Sequence, residues 1–271
     1  MNSTKYLKFI IPTLIFYMVM RFFLESFEIP YFALVVLFLV SAISASWIAK
    51  YKFLPIVSIT IFVASSILFL FTLGKDGFQD SYIALSSLLF LFALIGLSKF
   101  FSQQKRYDLQ KTINLKKLNT GFNLNQTTVM FSVFFLISGV YGIYIDLDIS
   151  IWIIMGIIFA GVTFLTFYLM KINFLKNKIA KTYINNSAGK AFTFYSFLFG
   201  FLVIELIWVA SFLPANHLTI GAIALLLYCF FWNILRKRLK NQFSRKFFIS
   251  NLMFFVIVTS IIFATSKWNL A

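Results

Sequence analysis

Carboxylates set the outer limit on the chemistry this sequence can perform, because its 271 residues hold only 8 acidic ones. Asp146 and Asp148 form a D-x-D pair at the end of an apolar segment. Two carboxylates at that spacing can hold a divalent cation and, through it, a substrate diphosphate. The same pair also serves as a solvated helix end, and both readings stay open. Glu205 differs, because it stands inside an apolar segment. A charge at such depth costs on the order of 2.5–3.5 kcal/mol on insertion scales, and normally faces a bundle interior with a partner. Arg21, about one turn below the end of the first apolar segment, is expected to supply that partner as an ion pair. Glu25, four residues from Arg21 on the same helix face, competes for it. A protonated Glu205 hydrogen-bonded to a neighbour is the third option. As a functional group, Glu205 reads as a proton or cation site.

The remaining repertoire is thin. One histidine, His217, and one cysteine, Cys229, exclude a His/Cys metal cluster within one chain. A lone thiol in an apolar run packs as a small hydrophobe. No H-E-x-x-H, G-x-x-x-x-G-K-[ST] or G-x-S-x-G occurs. The reading therefore expects no catalytic set, no metal site and no cofactor.

The elements that must position these residues are membrane helices. Hydrophobic residues make up 61% of the chain and charged ones 12%, with a mean hydropathy of +0.91. Soluble domains are about 45–50% apolar and about 25% charged, so one globular core cannot hide this excess. The 38 phenylalanines fill lipid-facing and inter-helical space. A hydrocarbon core about 30 Å thick needs roughly 20 apolar residues per helix, and only helices or closed barrels satisfy their peptide groups there. Long apolar runs without period-2 alternation exclude the barrel. The predicted helices are 6–24, 30–49, 53–73, 82–101, 128–147, 150–170, 191–213, 218–235 and 247–266, an all-α bundle forming a single integral membrane domain over 1–271. The first is read as an uncleaved helix, since no A-x-A-like site follows it. Pro30 and Pro55 fit first turns, Pro214 stops the seventh helix, and Gly74 and Gly77 mark a turn. The longest predicted loop, 102–127, is polar, with Leu109, Ile113 and Leu118 spaced as on an interfacial helix.

Charge supplies an orientation. The formal charge is +16 and the pI about 9.9, which in a soluble protein would point to nucleic acid. Here the basic residues flank the apolar segments, so no nucleic-acid partner is expected. With the N-terminus in the cytoplasm, 21 of the 24 Lys and Arg residues fall on the inner side. They cluster around Lys5 and Lys8, Lys50 and Lys52, 99–117, 171–190 and 236–246. Lys75 and Lys267 fall outside, as do Glu25, Glu28, Asp76, Asp80, Asp146 and Asp148. That is the asymmetry of the positive-inside rule, and it puts the C-terminus outside a plasma or inner membrane. The partners expected are the lipid bilayer, anionic headgroups on its cytoplasmic side, and a membrane protein. Ile172, Leu175, Ile179 and Tyr183 form an apolar stripe beside Lys176, Lys178 and Lys181, suited to a membrane surface. Gly156 with Ala160, Ala42 with Ser46, and Gly139 with Gly142 are expected to allow close helix contact.

Glu205-Leu-Ile-Trp208, Ser211-Phe-Leu-Pro214 and Ser244-Arg-Lys246 resemble an uncharacterised family of bacterial polytopic membrane proteins, over the C-terminal third. The resemblance implies a bacterial membrane protein and brings no activity with it. Three function classes follow: an accessory or structural subunit of a membrane complex, a small-solute or lipid transporter using Glu205 with Ser58, Thr60, Ser65 and Ser66, and a lipid-linked transferase using Asp146 and Asp148.

Overall fold

A helix pairs its own peptide groups, which is the condition for lying in hydrocarbon, and the apolar runs fold accordingly. The computed structural model describes residues 4–26, 31–49, 52–73, 78–110, 113–147, 149–179, 188–212, 215–239 and 241–266. Among them are nine α-helices and no strand: α1 (Thr4–Ser26), α2 (Tyr31–Ala49), α3 (Phe53–Thr72), α4 (Phe78–Gln110), α5 (Leu115–Leu147), α6 (Ile151–Ile179), α7 (Ala188–Ala210), α8 (His217–Leu239) and α9 (Arg245–Thr265). Seven of them, α3 to α9, are long and apolar enough to cross a membrane. The chain is a multi-pass helical membrane protein. Trp47, Trp152 and Trp208 lie exposed near helix ends, where indole rings suit the membrane interface.

The helix ends are made locally. Asn114 Oδ1 accepts from the Lys117 N–H at the start of α5, and Ser244 Oγ from the Phe247 N–H at the start of α9. At the end of α8, Asn241 adopts φ 53°, the left-handed conformation that asparagine tolerates. The Gln242 N–H then reaches back to the Lys237 carbonyl at 3.0 Å, closing a Schellman-type turn. Pro30, Gly74, Gly77 and Pro214 lie outside the described residues.

The predicted 102–127 loop is instead helix for most of its length. α4 runs on to Gln110 and α5 starts at Leu115, 33 residues each, or about 50 Å at 1.5 Å per residue. Gln, Lys, Arg and Leu in this stretch are good helix formers despite their polarity. Gln103 is buried and its Oε1 accepts from the Asn114 N–H at 2.9 Å, which ties the two helices together at their junction. Leu118 is fully buried, whereas Leu109 is exposed. α6 likewise continues past 170 to Ile179, burying Ile172, Asn173, Asn177 and Ile179; Tyr183 lies outside the described residues.

The chain divides into two compact units within α5, Met1–Ser132 and Val133–Ala271. In the first, α1 packs on α2 and α4, and α2 on α3 and α4. Its centre is a stack of Phe16, Phe62 and Phe90, the Phe16 and Phe90 rings 4.8 Å apart and nearly parallel. α4 and α5 approach closely at Gly96 and Gly121, where a Cβ on Gly121 would meet the Phe100 nitrogen at 2.7 Å. In the second unit α6 packs along α7, α7 on α8, and α8 on α9. Tyr228 and Trp232 of α8 are fully buried there, and the Thr166 and Tyr228 hydroxyls lie 3.2 Å apart. Lipid tails are as apolar as leucine, so such contacts hold helices together by close packing rather than by burial from water.

Candidate functional site

Buried hydroxyls are the first place to look for a wet pathway, and most of those described are taken up by their own helices. Ser44 Oγ donates to the Val40 carbonyl, Ser65 to Phe62, Ser132 to Thr128 and Ser196 to Phe192, at 2.6–2.9 Å. Thr60 donates to the Ile56 carbonyl at 2.9 Å in the same way. A hydroxyl that closes on a carbonyl three or four residues back satisfies itself without water. Ser66, Ser87, Ser138, Thr163 and Thr259 are the exceptions, with buried hydroxyl oxygens that have no hydrogen-bond partner.

The charged candidates lie elsewhere. Arg21 Nη1 donates to Asp80 Oδ1, pairing α1 with the first turn of α4; both side chains are substantially exposed, at 41% and 63%. The Glu25 side chain is outside the described residues. Glu205 is exposed rather than turned into the packed interior. The reason is angular: Phe192, Ser196, Phe199, Val203, Ile207 and Ala210 carry the buried side of α7, and Glu205 stands about 200° round the helix from Val203. Asp146 is exposed at the end of α5, and His217 opens α8. His217 Nε2 is buried without a hydrogen-bond partner. Asp148 lies outside the described residues. Among the described residues, no three of His, Cys, Asp or Glu come together as a group able to hold a metal ion.

Two concave sites in the second unit are walled by more than one helix, and a third, of about 490 Å³, opens on α9 alone at Arg245, Lys246, Ile249, Ser250 and Met253. Leu206, Val209, Ile220, Ile223, Phe255 and Thr259 help to line a cavity of about 210 Å³ between α7, α8 and α9. A larger groove of about 500 Å³ lies between α6 and α7, lined by Phe159, Ala160, Thr163, Phe164, Phe167, Thr193, Ser196 and Phe197. The second was missed in the sequence. The available signal was the four-residue recurrence of Phe159, Thr163, Phe167 and Lys171, which sets one row along the helix and ends on a cation.

Comparison with protein-family models, curated proteins and solved structures finds no match to this chain.

Proposed function

We propose that the chain is a multi-pass accessory subunit of a membrane complex, structural rather than catalytic. It crosses the membrane nine times, with its N-terminus cytoplasmic and its C-terminus outside a bacterial plasma membrane. The observation that carries this reading is the largely self-contained hydrogen bonding of the packed interior. Its hydroxyls mostly close on their own helices, and its charged candidates Glu205 and Asp146 lie on exposed faces. A transporter built on Glu205 needs a wet path through the bundle to that carboxylate, and a transferase needs its acidic pair gathered in a cleft. The exposed positions of Glu205 and Asp146 support the structural reading better than either of these.

The surface this reading offers to a partner is α9. None of its residues is buried, and Leu252, Met253, Phe254, Val256, Ile257 and Ile261 are exposed along it. Lipid alone can cover such a face, so the reading is tested by composition. Native mass spectrometry of the protein, extracted gently from its own membrane, is expected to show a stoichiometric protein partner. A chain that emerges alone, carrying a small solute that dissociates on collisional activation, overturns the accessory reading and favours transport.

A further inference from the structure

Along α6, Phe159, Thr163, Phe167 and Lys171 succeed one another at four-residue intervals, each beside the next in a row that turns about 40° per step round the helix. The first three line the groove against α7. Lys171 stands one turn beyond, exposed, its Nζ 6.0 Å from the centre of the Phe167 ring. The lining of the groove is therefore mostly apolar, and the Lys171 ammonium stands beside Phe167 just beyond one end of it. Its hydroxyls are graded too: Thr193 lies exposed near the start of α7, while Thr163 Oγ1, deeper in, is buried without a partner.

Dimensions select the occupant. From Phe159 to Lys171 is about 18 Å of helix at 1.5 Å per residue, close to the roughly 15 Å of one leaflet of hydrocarbon. A lipid whose headgroup sits at the level of Lys171 would end its chain near Phe159. A groove of about 500 Å³ suits a single extended chain, whereas a helix of the same 18 Å length fills roughly 1,400 Å³ and would lie across the opening rather than within it. We propose that the α6/α7 groove seats one acyl chain of an anionic phospholipid, with its phosphate held by Lys171. The Phe167 ring keeps the ammonium at the groove mouth from beneath, and the Thr193 hydroxyl lies near the start of α7, where ester oxygens would pass. This site rests on the multi-pass reading, and is independent of which membrane face Lys171 occupies.

The test uses the whole purified chain, stripped of lipid in detergent and titrated with phosphatidylglycerol or phosphatidylcholine of matched chains. Bound lipid is counted by native mass spectrometry. The unmodified protein is expected to retain phosphatidylglycerol preferentially. Lys171→Gln is expected to lower that retention about five-fold, the worth of one lysine against an anionic lipid. Lys178→Gln, an exposed lysine on the same helix, should change it little, and Ala160→Trp, which fills the groove, should lower retention of both lipids. Equal retention of the two lipids, or an equal loss in Lys178→Gln, overturns the site and leaves only diffuse surface charge. Flotation with phosphatidylcholine vesicles separates the two levels: a chain that fails to float overturns the multi-pass reading itself.

Discussion

Gly200 of α7 and Thr163 of α6 pack so closely that a Cβ on the glycine would overlap the threonine hydroxyl. Phe159 crowds the same point from one turn away, its Cδ2 at 2.9 Å from that Cβ position. Small residues let membrane helices approach, and packing then supplies the adhesion that hydrophobicity cannot supply in lipid. The contact also fixes the spacing between α6 and α7, and so the width of the groove beside it.

Gly200→Ala should therefore destabilise the second unit by about 1–3 kcal/mol, the usual range for overpacking. Thermal unfolding in detergent reads the loss. Thr163→Ala removes the atom that the new methyl would meet, so the double variant should recover at least about 0.5 kcal/mol relative to additivity. Strictly additive losses would show that the two side chains do not share the contact.

Gly121 and Gly156 are expected to diverge. A Cβ on Gly121 would meet backbone, the Phe100 nitrogen at 2.7 Å and the Gly96 oxygen at 3.0 Å, and backbone cannot rotate aside. Gly121→Ala should lower the unfolding temperature clearly. Nothing stands within 4 Å of the corresponding position at Gly156, so Gly156→Ala should be neutral, or stabilising by up to about 1 kcal/mol through helix propensity. Equal melting shifts in the two variants would contradict these surroundings.

The Arg21–Asp80 pair is exposed on both sides, and exposed pairs contribute about 0–1 kcal/mol. Arg21→Gln and Asp80→Asn should each cost no more than that. The double variant should cost no more than either alone, and the effect should shrink as salt screens the pair. A loss of several kcal/mol in Arg21→Gln, unmatched by Asp80→Asn, would assign Arg21 a different and buried role.

The apolar segments and their order were legible because lipid imposes a length and a pattern that composition alone reveals. Boundaries such as Gln110 and Leu115 were not, because polarity was read as loop whereas residues of high helix propensity carry α4 and α5 onward. The side on which Glu205 falls was equally hidden. In lipid both faces of a helix are apolar, so the hydrophobic pattern that locates a buried face in a soluble protein is flattened. Only the packed partners of Val203 and Ile207 reveal it. Gly156 shows the same limit from the other side, since a small residue permits close packing without requiring it.

Topology is open to a chemical test. In a Cys229→Ala background, Asp108→Cys and Ser150→Cys each place one thiol at an exposed position. With the N-terminus inside, a membrane-impermeant maleimide should label residue 150 in intact cells, and residue 108 only after permeabilisation. The opposite pattern would invert the proposed orientation.

None of the described residues of α9 is buried, so its attachment rests on contacts made at the surface of α8. Asn251 Nδ2 donates to the Phe230 carbonyl at 3.3 Å, and the Thr219 and Ser266 hydroxyls lie 3.1 Å apart. Phe230 also packs its ring against Phe248 and Phe255, with centroids 6.1 and 5.4 Å away. Ring pairs of this kind are worth about 0.5–1.5 kcal/mol each beyond area, so Phe230→Ala removes two ring contacts between α8 and α9. The first consequence should be local opening, because elements with few buried contacts separate before the rest unfolds. Trypsin should then cut faster at Arg245 and Lys246, both already exposed, while the unfolding temperature of the remainder changes less. Phe254→Ala, at a position 62% exposed, should leave the cleavage rate unchanged. If both substitutions accelerate cleavage equally, the Phe230 contacts do not hold α9. If neither does, the junction before α9 is protected by something other than its packing on α8.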